Sequence, residues 1–246
     1  MQLGEQRDRL RVSRDPRGRQ DVVLAEGEHA LTETMLRSWS RLRVLSCRND
    51  EPERASRPFD ADRDGLVLAD AVVLLALESE EHSRVAAAGR WPSSWDTEAI
   101  AAREHLTAPT RRARWPQCAP RSTTPGWRPT RVDLVLAHGT ATRRNDVVEG
   151  RALREVFGHN GIASRARRRQ VDGGARDGRL GHRSRGSGIR FSTQGEVPPT
   201  INLDSPDPEC AISGFSPVAT SRPVGHAMVN AFAFGGHNAV LVFRRA

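Results

Sequence analysis

The sequence predicts an α/β fold, and three observations carry the prediction. The run Val132-Asp133-Leu134-Val135-Leu136-Ala137 is apolar at five of its six positions, the unbroken pattern of a strand buried on both faces. A shorter apolar run, Val22-Val23-Leu24-Ala25, leads into a segment whose apolar residues Leu31, Met35, Trp39 and Leu42 recur at helical spacing. After Ala137 the chain turns on Gly139 and enters a second helical segment, so strand and helix alternate.

Each element follows from local chemistry. Val22 to Ala25 reads as a short buried strand and Thr32 to Leu45 as a helix. Gly65 to Leu77 reads as a strand hairpin or a strand with a bend, and Ser79 to Ala88 as a short polar helix. Val132 to Ala137 is a strand that ends at His138. Asn145-Asp146 is placed to cap a helix through Val147-Val148-Glu149-Gly150-Arg151-Ala152-Leu153-Arg154-Glu155-Val156-Phe157.

Three stretches lack this order: residues 1–20, 91–130 and 159–196. They hold arginine clusters such as Arg111-Arg112-Ala113-Arg114 and Arg165-Ala166-Arg167-Arg168-Arg169 and little apolar periodicity, so they bury too little surface to offset chain entropy. The expected organisation is a poorly packed segment 1–20, a folded part 21–90, an irregular linker 91–130, and a folded part 131–246 interrupted by irregular 159–196. Coding sequence read out of frame across these intervals would give such a mosaic; so would genuine basic linkers.

A chain of 246 residues holds one large core or two small ones. Its formal net charge of +8 raises nucleic acid as a partner, but all 38 basic residues are arginine, a pattern of coding bias more than of a phosphate-binding surface. The three cysteines, Cys47, Cys118 and Cys210, form neither a disulfide framework nor a zinc pattern, which suits a reducing cytoplasm. The longest apolar run, Leu66 to Leu77, is broken by Asp70 and falls short of a membrane span, and the charged first ten residues do not make a signal peptide.

The strand ending at His138, with Gly139, Thr140 and Thr142 behind it, presents an imidazole where open α/β sheets bind ligands. This segment resembles the histidine motif of the β-ketoacyl-acyl-carrier-protein synthases, condensing enzymes of the thiolase fold. Three further stretches agree in the same order. Val22 to Ala25 through Cys47-Arg48-Asn49-Asp50 and Arg57-Pro58-Phe59-Asp60 to Leu68 is similar to the region after the family's nucleophile helix. Val197 to Asp204 with Pro206-Asp207-Pro208-Glu209-Cys210 is similar to its late connecting loop. Asn230-Ala231-Phe232-Ala233-Phe234-Gly235-Gly236-His237 to Phe243 is similar to its final glycine turn and closing strand. The resemblance implies the carboxyl-terminal half of the layered αβαβα architecture.

It also implies a chemistry. A cysteine thiolate at a helix amino terminus accepts the acyl chain, two neutral imidazoles hydrogen-bond the malonyl thioester oxygen as CO2 leaves, and backbone N–H groups stabilise the tetrahedral oxyanion. By resemblance, His138 is the first imidazole and the Phe234 N–H the oxyanion donor, with the Phe234 ring gating the acyl pocket. Thr140 and Thr142 hold the pantetheine arm, and Phe232, Gly235 and Gly236 of the oxyanion turn are likewise substrate-binding. Acyl-carrier protein is the implied partner and a homodimer or heterodimer the implied assembly, with no cofactor and no metal.

Two parts of this machinery have no match. The family's nucleophile would fall at or before Met1, and Cys47 and Cys210 are expected to be inert. The second imidazole belongs to a motif in which a lysine precedes Gly-His; there is no lysine here, and Gly181-His182 lies in an arginine-rich stretch. His237 is expected to be structural. Asp60-Ala61-Asp62-Arg63-Asp64-Gly65 imitates the first half of a calcium loop, but the twelfth position is Ala71 where glutamate is required. The expectation is a 3-oxoacyl-acyl-carrier-protein synthase portion that is inactive alone. An arginine-rich nucleic-acid-binding protein and a non-catalytic partner subunit of a synthase are the alternatives.

Overall fold

The computed structural model describes residues 21–29, 31–79, 82, 93–101, 129–158, 166–167, 196–197, 199–210, 218–233 and 237–244. Strand β1 (Val22–His29) pairs antiparallel with β2 (Ala71–Glu78), Val22 opposite Glu78 and His29 opposite Ala71. The expected burial of this first strand is corrected: Val23 is buried, whereas Val22 and Leu24 are exposed, as is Leu74 of β2. Alternate side chains of a strand face opposite sides, which fits buried Val23 standing between exposed Val22 and Leu24.

Helix α1 (Glu33–Arg41) is shorter than the Thr32 to Leu45 expected. Thr32 caps it, its hydroxyl accepting the Met35 N–H at 3.2 Å, and Arg43 ends it in a left-handed conformation (φ 52°). The region from Gly65 to Leu77 is the strand-and-bend alternative: Leu66 bridges Leu45 in parallel before β2 begins at Ala71. Of the short helix expected over Ser79 to Ala88, most lies outside the described residues.

The second sheet has five strands in the order β3-β9-β8-β4-β5: β3 (Ser93–Ala101), β4 (Leu134–Leu136), β5 (Ala166–Arg167), β8 (His226–Phe232) and β9 (His237–Arg244). A short separate pair is formed by β6 (Glu196–Val197) and β7 (Thr220–Ser221). At the centre, β4 runs parallel to both β5 and β8, with Leu134 opposite Ala227 and Leu136 opposite Val229. β8 and β9 form an antiparallel hairpin, and β3 lies along the outer side of β9. Strand β3 corrects the irregular linker expected at 91–130: the polar run Ser93-Ser94-Trp95-Asp96-Thr97-Glu98 shows no strand pattern, and the strand is made by backbone pairing to β9. Likewise β5 and Glu196 of β6 fall within 159–196.

Both faces of the central sheet are buried, as the unbroken run at Val132 to Ala137 requires. Val135, Met228, Val240 and Val242 pack on one face with Ala152, Leu153 and Phe157 of helix α2 (Arg143–Phe157) and with Phe59, Leu203 and Cys210. Leu134, Leu136, Ala227, Val229 and Phe243 pack on the other with Val197 and Val224. Asp133, the polar exception in the run, accepts the backbone N–H groups of Gly225 and His226, both at 2.9 Å.

The start of α2 corrects the expected cap. Thr142 is the N-cap residue and makes no side-chain cap bond; Asn145 and Asp146 lie inside the first turn, buried. Both turn inward instead of outward to the helix end: Asp146 to the Phe59 backbone N–H, Asn145 to Asp146 and Glu149 of its own helix.

Candidate active site at the end of strand β4

Strand β4 delivers His138 to the rim of the sheet, and α2 holds it there from behind. Glu149, fully buried on α2, accepts the His138 backbone N–H on one carboxylate oxygen and the Gly139 N–H on the other, each at 2.8 Å. The Asn230 side chain on β8 donates to the first oxygen at 3.0 Å, and that of Asn145 reaches the second at 3.5 Å. The turn therefore closes on a buried carboxylate whose two oxygens are satisfied by N–H donors.

The His138 ring meets the ring of Phe232 edge to face, centroids 5.5 Å apart and planes at 71°. Behind it the chain passes through Gly139 (φ 40°) and Ala141 (φ 63°), a left-handed sequence that folds Thr140 back on Thr142, their hydroxyl oxygens 2.9 Å apart. His138, Phe232, Thr140 and Thr142 are thus brought to one place. Phe234, Gly235 and Gly236 lie outside the described residues, between β8 and β9, as does His182.

A second buried carboxylate, Asp146, adjoins the first. It accepts the Phe59 backbone N–H at 2.8 Å and the Asn145 amide at 2.9 Å. Burial pushes its pKa up to about 6; the Glu149 charge adds to this, and the Asn145 and Phe59 donors and Arg63 oppose it. Phe59 itself is buried in a left-handed conformation (φ 64°), so Asp146 pins a strained residue of the Asp60 turn against the histidine helix.

Two carboxylates of the Asp60–Gly65 turn, Asp60 and Asp64, are committed to the protein. Asp60 accepts from Asp62, Asp204 and Ser205 N–H groups, and Asp64 from the Ser46 hydroxyl and Cys47 N–H. Gly65 is needed because a Cβ there would fall 2.4 Å from the Leu45 carbonyl carbon. Among the described residues no group of three or more His, Cys, Asp or Glu is arranged to hold a metal ion. Cys47 is exposed; Cys210 is buried, and burial pushes its thiol pKa up to about 12. Sequence reading missed Glu149, Asp146 and Asn230. Their signal was present: two carboxylates three residues apart in a helix that packs on the sheet, and one amide inside the apolar run Ala227 to Phe232.

Residues 16–83 match the family profile described as "Beta-ketoacyl synthase, N-terminal domain", and residues 99–204 the one described as "Beta-ketoacyl synthase, C-terminal domain", together well over half of the chain. The chain belongs to the β-ketoacyl synthase family. Among curated β-ketoacyl synthases it is 33% identical to the 3-oxoacyl-[acyl-carrier-protein] synthase 2 of Synechocystis over 238 residues, covering 91% of this chain and 54% of that protein. It is 34% identical to nodulation protein E of Rhizobium meliloti over 231 residues, covering 93% and 56%. The chain spans about half the length of the curated relatives it matches.

Solved structures agree. A β-ketoacyl synthase from Burkholderia phymatum superposes with a TM-score of 0.90 at 30% identity, over 99% of this chain and 59% of that one. A type II polyketide ketosynthase, in complex with its acyl-carrier protein and bound to a hexaketide, gives 0.85 at 26% identity, over 93% and 57%. The fold of this β-ketoacyl synthase chain is therefore thiolase-like, and the family is one of condensing acyltransferases. No helix among the described residues is long and apolar enough to cross a membrane.

Proposed function

We propose that this chain carries the enolate-facing half of a decarboxylative condensing site, acting on a malonyl thioester presented by an acyl-carrier protein in fatty-acid or polyketide synthesis. The observation that carries the reading is His138 at the end of β4, its turn clamped by both oxygens of Glu149 and its ring set against Phe232. A neutral imidazole so held donates to the thioester oxygen; as the malonyl carboxylate leaves as CO2, its electrons pass to the α-carbon and the enolate oxygen gains the charge that the N–H stabilises. The enolate carbon then attacks an acyl thioester carbonyl, the Phe234 N–H receives the resulting oxyanion, and the thiolate departs. Thr140 and Thr142 hold the pantetheine arm. The assembly is a dimer in the cytoplasm, where free thiols persist.

We further propose that the isolated chain completes no condensation. Cys210 is buried with a raised pKa, unfit as a nucleophile, and Cys47 lies in an exposed segment outside both described α-helices. This also favours a second reading, a non-catalytic partner subunit of a complete synthase. Purified chain incubated with malonyl- and acyl-loaded acyl-carrier protein tests both readings. The expected result is binding of the malonyl form, weakened by Thr140→Val with Thr142→Val, and no 3-oxoacyl product. Product lost on His138→Ala would refute the inactivity, and absence of binding would refute the site.

A further inference from the structure

Arg63 sits in the charged turn that resembles half a calcium loop, and the proposed chemistry gives it no task. It is nevertheless buried, 3% exposed. Its Nη1 donates to Asp207 Oδ2 at 2.5 Å and to the Asp60 carbonyl at 2.7 Å; its Nη2 donates to the Arg143 carbonyl at 3.1 Å. Its Nε donates to the Thr142 carbonyl at 3.4 Å and lies 3.8 Å from Asp146 Oδ2. All three guanidinium nitrogens are thus engaged, two of them on the residues where the histidine loop becomes helix α2.

A cation beside a helix amino terminus opposes the helix dipole, so this contact does not serve helix stability. What it fixes is geometry. Thr142 is the N-cap residue, yet its hydroxyl does not cap; it faces the Thr140 hydroxyl at 2.9 Å, across Ala141 in a left-handed conformation. The loop is held at its front by Glu149 on the His138 and Gly139 amides, and at its rear by Arg63 on the Thr142 and Arg143 carbonyls. Two separate anchors serve two groups: the imidazole and the hydroxyl pair.

We infer that Arg63 is the positioning residue of the Thr140/Thr142 hydroxyl pair, acting through the Thr142 and Arg143 carbonyls, and thereby sets affinity for the pantetheine arm without setting the His138 imidazole. The affinity part rests on the site proposed above; the positioning part does not. Lysine keeps the charge but lacks the planar fork that spans two carbonyls.

The test uses the purified chain with Arg63→Met, Arg63→Lys and Asp207→Asn, malonyl-pantetheine as probe, and amide hydrogen exchange as a second readout. Both Arg63 variants are expected to raise Kd about tenfold or more, and to speed exchange at Ala141 and Thr142. The His138 and Gly139 amides keep their protection, and the His138 ring titrates as in wild type by NMR. Asp207→Asn gives a smaller change of the same kind and, with Arg63→Lys, carries the test if Arg63→Met does not fold. Unchanged exchange at Ala141 and Thr142, full rescue by lysine, or loss of protection at His138 in step with Thr142 would each overturn the positioning role. If wild type itself fails to bind the probe, the proposed site fails, and the exchange pattern still decides whether Arg63 positions the loop.

Discussion

Glu149 binds His138 through the backbone and not through the ring: the two carboxylate oxygens take the His138 and Gly139 amides, each at 2.8 Å, eleven and ten residues back along the chain. A side chain on a helix thereby sets where a strand stops and turns. Glu149→Gln keeps the shape but replaces one acceptor with an N–H donor that faces another donor. Two charge-assisted bonds weaken or invert, a loss of about 2–3 kcal/mol for a fully buried group. Urea unfolding of the variant should show that loss, and the His138 ring signal should broaden as its turn loosens. Unchanged stability would mean that the turn is held by other contacts.

Asp146 makes stability depend on pH with an uncommon sign. Its folded pKa of about 6 lies above the usual 3.8, so between these values the folded state holds more protons than the unfolded state, and stability falls as pH rises through the window. The ionised form costs on the order of 3 kcal/mol above pH 6. Two groups act in the other direction. Burial lowers the His226 pKa, so its contribution is lost as pH falls below 6.5. Burial also pushes Asp207 upward, but the Arg63 and Glu209 donors outweigh it and leave its pKa lowered, a contribution lost at pH values below 3.8. Comparing wild type with Asp146→Asn isolates the first effect. Their stability difference should grow from pH 5 to pH 7 in favour of the variant, and a difference independent of pH would refute the raised pKa.

What the sequence revealed and what it hid divide along locality. The run Val132 to Ala137 was legible because burial on both faces leaves an unbroken apolar signature, with Leu134 and Val135 now found in separate cores. Helix α2 was legible for its periodicity, but its cap was misplaced. Asn and Asp are cap residues by type, and what turned Asp146 inward is the Phe59 amide, 87 residues away. The partner of Glu149 on β8, Asn230, is 81 residues away. Strand β3 was hidden for a related reason: its existence depends on the edge of β9 and not on its own pattern.

Gly65 and Gly158 separate two reasons for glycine. A Cβ on Gly65 would meet Leu45 backbone at 2.4 Å, whereas one on Gly158 would meet nothing within 4 Å, but Gly158 has φ +73°. Gly158→Ala should therefore cost the strain of a backbone region (φ 73°, ψ 171°) that essentially only glycine adopts, about 1–3 kcal/mol. Gly65→Ala must push apart the segments joined by the Leu45–Leu66 bridge and should cost more than about 3 kcal/mol. Denaturant midpoints of the two variants check the ranking. Equal losses would mean that the approach at Gly65 relaxes freely.

Cys47 and Cys210 should differ sharply in reactivity, and the difference bears on whether this chain holds a nucleophile. Cys47 is exposed, and its backbone N–H is held by Asp64. Cys210 is buried in the core against Phe59 and Leu203, its sulfur 3.8 Å from Asp207 and its pKa pushed up to about 12 by burial, so essentially no thiolate exists at pH 8. Iodoacetamide at pH 8 should label Cys47 within minutes and Cys210 only after unfolding, with peptide mapping reading each thiol separately. Neither should carry an acyl group after incubation with an acyl thioester. An acyl adduct on Cys210 under native conditions would overturn both the burial argument and the proposed inactivity of the isolated chain.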